Sequence, residues 1–172
     1  MIEERRERIL LPVSASFMTL TLTLALLFNL LPWRDLSGLP DMAALVLTFW
    51  CIHQPRKLGI GIAWMIGLLM DAGNGALLGQ HALAYSVLAF AAITLHRRII
   101  WFPSWQQAAQ VLILLLSSQL LMLAVRVAAG GAFPGIGYFA GSVIAALLWP
   151  AAKFMLLLPQ RRPEEIDLHR PI

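Results

Sequence analysis

Apolar residues fall along this chain in runs closed by charge, proline or glycine. The first, Ile9 to Leu31, holds 23 residues and no charge, with Pro12 in its opening turn, where a missing N–H costs little. Leu31-Pro32-Trp33-Arg34-Asp35 closes it, placing Trp33 where an interfacial indole belongs. The run exceeds the 7–15 apolar residues or so of a signal peptide and lacks a small-x-small cleavage site, so it reads as a permanent span. The second run, Pro40 to His53, has 14 residues and is short for an untilted crossing, which suggests a thin or partly re-entrant segment. Leu58 to Met70 then reaches Asp71, followed by the breaker Gly73-Asn74-Gly75 and by Ala76 to Gln80. Ala82 to Leu95 is a second short run, closed by His96-Arg97-Arg98. Gln107 to Val125 is a clear fifth span ending at Arg126. Phe139 to Leu158 is the sixth, interrupted late by Pro150 and Lys153.

Composition settles what these runs are for. The 172 residues are 59% hydrophobic and 13% charged, against about 45–50% and about 25% in a soluble chain. Disorder and a disulfide scaffold fall away with the same numbers, because Cys51 has no partner. The expected fold is an all-α polytopic membrane protein of six transmembrane helices, the second and fourth short, in a single domain spanning residues 1–172. Residues 1–8 and 159–172 are then short cytoplasmic tails. Crossing a hydrocarbon core of about 30 Å takes about 20 helical residues, so six crossings leave no room for a soluble domain.

Charge fixes the expected orientation. With both ends cytoplasmic, the inner set is Arg5, Arg6, Arg8, Arg56, Lys57, Arg97, Arg98, Lys153, Arg161, Arg162 and Arg170, eleven of the 13 basic residues. Arg34 and Arg126 remain outside. Each tail is neutral, so the net charge of +4 comes mainly from inner loops. It points to anionic lipid headgroups rather than nucleic acid.

Gly59, Ala63, Gly67, Asp71, Gly75 and Gly79 recur at every fourth position. On a helix, residues four apart share a face with a drift of about 40° per step, and small residues there admit a second backbone. The stripe is a packing seam inside one bundle or a seat for a second protein's helix. Gly137-x-x-x-Gly141, opening the sixth span, offers a similar spacing. Asp71 is a polar anchor or pocket residue, or else an interfacial cap for the segment after the glycines. Asp41 suits the first turn of span two, where the helix dipole favours an anion. Arg126 either snorkels or pairs with Asp71 or Asp41, and Lys153 is expected to snorkel. Asn29, Gln119, Ser117 and Ser118 are candidates for interhelical hydrogen bonds. His81 has no neighbour at metal-ligand spacing, and no zinc-protease, paired-aspartate, serine-hydrolase or nucleotide-binding pattern is present, so neither catalysis nor a cofactor or metal is expected.

Pro40-Asp41, His53-Gln54-Pro55-Arg56-Lys57-Leu58-Gly59-Ile60-Gly61, Gly67-Leu68-Leu69-Met70-Asp71 with Gly75 and Leu78-Gly79, Ala82-Leu83-Ala84-Tyr85, Trp105-Gln106-Gln107 and Leu148-Trp149-Pro150 stand in an order that resembles MreD, the rod shape-determining membrane protein family. The likeness runs from about residue 9 to 158; the charged N-terminal tail and Gln80-His81 depart from it. Pro40, Asp41, Pro55, Arg56, Gly59, Gly67, Asp71, Gly75 and Gly79 match the pattern. The resemblance implies a non-enzymatic protein of the bacterial inner membrane, similar in fold to the substrate-binding membrane subunits of energy-coupling-factor transporters. It implies MreC as direct partner through its transmembrane helix, with MreB, RodZ, RodA and its transpeptidase in the same complex that builds lateral peptidoglycan. The rival reading is a small-molecule-binding membrane subunit of a transporter, using the segments around Asp71 and His81 to line an outward cavity.

Overall fold

The computed structural model describes residues 14–31 and 38–160, and these are α-helical apart from turns. Six α-helices follow in order: α1 Ala15–Leu30, α2 Met42–His53, α3 Ile60–Asn74, α4 Gln80–Ile100, α5 Ser104–Ala128 and α6 Ala140–Leu157. Short 3₁₀ turns, Ile136–Phe139 and Leu158–Gln160, flank α6. The expected N-terminal tail, residues 161–172 of the expected C-terminal one, Pro12, Trp33 and Arg34 lie outside the described residues, while Pro159 and Gln160 continue from α6 in a 3₁₀ turn.

Three segments are long and apolar enough to cross a membrane: Gln80–Ile100, Ser104–Ala128 and Ile136–Gln160. The fourth helix is therefore not short. It continues through His96, Arg97 and Arg98, because cations in a last turn complement the partial negative charge of helical carbonyls instead of ending the helix. Pro150 likewise fails to interrupt α6, which runs on to Leu157. Within a bundle, neighbouring groups can compensate the backbone bond that proline removes.

Among the described residues α1, α2 and α3 are shorter apolar helices, and the position of α2 explains how the shortest of them can be short. Its 12 residues rise about 18 Å, well under the thickness of a hydrocarbon core. Nine of them, including Leu45, Leu47, Phe49, Trp50 and Ile52, are buried. It packs against α1, α4, α5 and α6, so protein rather than lipid surrounds it. Trp50 gives its indole N–H to Thr21 Oγ1 of α1 (3.0 Å). The helices meet at two levels, one at the N-terminal end of α2 and one at its C-terminal end. The first level gathers the end of α1, the α3–α4 turn and the α5–α6 connection, and the second gathers the α2–α3 and α4–α5 turns.

The period-four row does not form one face. Its first member, Gly59, precedes α3, and its last two, Gly75 and Gly79, flank the turn between α3 and α4. Gly75 closes α3 in the left-handed region (φ 60°), and Gly79 precedes α4 at φ 98°, conformations that glycine adopts without steric cost. A Cβ on Gly59, Gly75, Gly79 or Gly137 would meet nothing within 4 Å. Gly67 is different, because a Cβ there would run into the backbone of His81 and Ala82. It lets the start of α4 lie against α3, while Ala63 is buried one turn earlier. Gly141 does the same for the carbonyl of Leu39, seating the entry to α2 against α6. Both close approaches are internal to the bundle.

Candidate functional site

The N-terminal end of α2 stops short of its neighbours and opens into a cavity of about 300 Å³. Its wall takes Asn29 and Leu31 from α1, Pro40 and Asp41 from the α2 entry, Asn74 from α3, His81 from α4, Gln119 and Met122 from α5, and Tyr138 from the turn before α6. Every element that reaches this level contributes.

Asp41 organises one side. Its Oδ1 accepts from Ala44 N–H (2.9 Å), the cap that starts α2, and from Asn29 Nδ2 (2.6 Å). Tyr85, fully buried on α4, donates its hydroxyl to Oδ2 (2.8 Å). Asn29 in turn accepts from Met42 N–H (3.0 Å), so the end of α1 is stitched to the start of α2. Satisfying the free N–H groups of a helix start with a carboxylate is favourable by both hydrogen bonding and the helix dipole.

Asp71 organises the other side from behind. It is wholly buried near the end of α3, and its carboxylate caps the next helix. Oδ2 accepts from Gly79 N–H (2.8 Å) and Ala82 N–H (3.3 Å), and Oδ1 from His81 N–H (2.9 Å). His81 Nδ1 completes the set at 2.7 Å. Because a carboxylate can only accept, Nδ1 donates to it, in a ring that lines the cavity. The two alternatives for Asp71 thus merge, since it is buried and it is a cap. The pairing with His81 had no signal in sequence spacing, because ten residues separate the partners and a turn brings them together. Asp71 is bonded to His81 rather than to Arg126. Tyr85 meets the His81 ring edge-on, centroids 5.9 Å apart, linking the two carboxylate clusters.

The third wall is an amide relay. Ser142 donates to Gln119 Oε1 (2.6 Å), and Gln119 Nε2 donates to the Tyr138 carbonyl (3.1 Å), binding α5 to α6. Gln119 and Asn29 thus bond between elements, whereas Ser117 turns back on Leu114 within α5. No group of three His, Cys, Asp or Glu among the described residues could hold a metal ion. What this arrangement can do is recognise a polar group: it offers a fixed carboxylate, an oriented imidazole and amides around an open space.

The other family-pattern residues lie elsewhere. Pro55 and Arg56 form the α2–α3 turn, pinned by Leu58, which is fully buried and donates its N–H to Gln54 (3.2 Å). Lys153 does not simply reach for headgroups, since its Nζ bonds Gln107 Oε1 (3.0 Å) and Ser104 Oγ (3.3 Å) at the start of α5.

The family model for rod shape-determining protein MreD matches residues 8–159. The chain belongs to the MreD family. It is 28% identical over 152 residues to the rod shape-determining protein MreD of Haemophilus influenzae, covering 85% of this chain and 90% of that one. No solved structure gives a significant match. The order of elements seen here is thus that of an MreD protein, a membrane protein of the rod-shape system. In this member the pattern residues Pro40, Asp41 and Asp71 surround or support one cavity.

Proposed function

We propose that this MreD protein is a non-enzymatic scaffold of the rod complex in the bacterial inner membrane, and that its cavity receives MreC. In this reading the chain crosses six times, both ends are cytoplasmic, and the fold is like that of the substrate-binding membrane subunits of energy-coupling-factor transporters. The described basic residues support that orientation: Arg56, Lys57, Arg97, Arg98 and Lys153 lie toward one end of the bundle and Arg126 toward the other. The cavity then faces outward, where the segment following a partner's single spanning helix emerges. MreB, RodZ, RodA and its transpeptidase belong to the same assembly, which couples to peptidoglycan synthesis.

The observation that carries the reading is the division of labour among the small residues. Gly67 and Gly141 are consumed by internal contacts, so they cannot also seat a foreign helix. The cavity, with Asp41 in its wall, remains the open recognition feature of this end. Exposed rim residues permit a test without disturbing the core. Leu31→Trp and Asn74→Trp should fill the mouth and lower co-purification with MreC by about tenfold, as hot-spot losses do. Asp41→Asn, which keeps a competent cap, should weaken it less. Undiminished co-purification from both Trp variants, with normal insertion, would remove the cavity from the interface.

The volume of about 300 Å³ also keeps the transporter-subunit reading in play, since it sits at the low end of small-molecule sites. A small metabolite retained by the purified wild type and displaced in Leu31→Trp would favour it.

A further inference from the structure

A second concavity lies on the outer surface of the bundle, at the opposite level, between α4 and α5. It has a volume of about 230 Å³ and is lined by Leu95, Arg98, Ile99, Gln110, Ile113 and Leu114. Nothing in the MreD reading uses it.

Its construction is graded. Ile99 and Leu114 form a buried floor, while Leu95 and Ile113 are exposed walls. The two helices supply residues at spacings of three and four, so these side chains share one seam. Arg98, in the last turn of α4, stands at the mouth. The two carboxylates among the described residues, Asp41 and Asp71, are at the other end of the bundle, so among the described residues no carboxylate stands at the level of Arg98. Gln110 Oε1 is buried in the same groove without a hydrogen-bond partner among the described residues. An unpaired buried acceptor is costly unless a donor reaches it.

Depth identifies the occupant. Ile113 lies nine residues beyond Ser104, the start of α5, which is about 13 Å along the helix. One leaflet of a hydrocarbon core is about 15 Å thick. The groove therefore runs from the interface through one leaflet, the one at the basic end. Trp101 and Trp105, both exposed beside it, mark that interface. An apolar channel one leaflet deep with a cation at its mouth matches a diacyl lipid with an anionic headgroup.

We propose that the α4–α5 groove is a binding site for an anionic diacyl phospholipid, with phosphatidylglycerol as its probe. An acyl chain lies between Leu95 and Ile113, and the phosphate pairs with Arg98. A guanidinium paired with phosphate forms charge-assisted bonds that a zwitterionic lipid, with its own compensating cation, satisfies less well.

The test is native mass spectrometry of the full chain released from nanodiscs containing equal phosphatidylglycerol and phosphatidylcholine. Wild type should retain phosphatidylglycerol selectively. Arg98→Gln should lower that retention by about fivefold or more, whereas Arg97→Gln, one position away, should leave it near wild type. Ile113→Trp fills the groove at an exposed wall without altering charge and should also displace the lipid. Monodisperse elution of each variant establishes that it is folded. Equal retention of the two lipids, equal effects of the two arginine variants, or unaltered retention in Ile113→Trp would each overturn the site in favour of a diffuse basic surface. Loss of the lipid from wild type upon co-purification with MreC would assign the groove to a partner helix and overturn it as well.

Discussion

The 12 residues of α2 leave space beyond both of its ends, and the bundle treats the two spaces in opposite ways. Beyond the C-terminal end, aromatic rings close the gap. Phe49 stacks on His53 with centroids 4.2 Å apart, and Trp149 of α6 stands 6.0 Å from Phe49. Trp149 donates to Gln107 Oε1 (3.3 Å), the same atom that receives Lys153, and Gln107 Nε2 returns to the Phe102 carbonyl (2.8 Å). Polar groups there satisfy one another around a filled core. Beyond the N-terminal end, polar groups bond sideways along the walls, and the centre stays open. The lesson is that hydrogen bonding by itself does not distinguish structural from functional polarity in a bundle. Whether the bonded groups enclose packed rings or empty volume does.

The largest effect that would break this contrast is at Gly67. A side chain there collides with backbone of α4, which cannot yield as a flexible side chain could. Gly67→Leu should therefore cost about 4 kcal/mol or more and abolish monodisperse protein on size exclusion in detergent. The open cavity would be lost with it, because His81 is held by the same approach.

Next comes a matched pair of aromatic truncations. Trp149→Ala at the closed end empties a fully buried position and removes one of the two donors to Gln107 Oε1, so we expect about 3 kcal/mol of destabilisation. Tyr138→Ala at the open end removes a half-buried ring whose hydroxyl has only a long contact to Met122 Sδ (3.8 Å). It should cost about 1 kcal/mol, because a cavity already lies beside it. Thermal unfolding of the two variants in one detergent measures the difference. Comparable losses would mean that the open end is as tightly packed as the closed one.

Asp71 should come third and sharpens the account of the cavity wall. Asp71→Ala removes the acceptor for three backbone N–H groups and the His81 ring, at about 2 kcal/mol. Asp71→Asn keeps one oxygen and should recover about half of that loss. A wild-type melting temperature in Asp71→Ala would show that water replaces the carboxylate without cost.

Much of this plan is legible in the sequence, and the omissions have definite causes. The apolar runs give the helices and their order, and Asp41 after Pro40 announces a helix start because that chemistry is local. Asn29 and Gln119 stand out as amides inside apolar runs, where few partners other than a neighbouring helix exist. The period-four row misleads because equal spacing says nothing about continuity. Gly75 and Gly79 belong to a turn, which Gly73-Asn74-Gly75 signals, so the repeat straddles two helices. The Asp71–His81 pair and the enclosure of α2 depend on how the helices fold back on one another. In a membrane protein every helix is apolar all round, and hydrophobicity cannot tell a central helix from a lipid-facing one.

The smallest expected effect is the one that tests this reading of small residues most cleanly. Gly137 and Gly141 look equivalent in sequence, four apart at the start of the sixth span. Gly137 has open space where a Cβ would sit and no positive φ, whereas Gly141 faces the Leu39 carbonyl. Gly137→Ala should thus leave the melting temperature and MreC co-purification within error of wild type, a change under about 0.5 kcal/mol. Gly141→Ala, of identical chemistry, must push back the entry to α2 and should lower stability measurably. If Gly137→Ala alone abolishes MreC co-purification while the protein stays folded, a partner helix lies over that face, and the proposal that the cavity receives MreC fails.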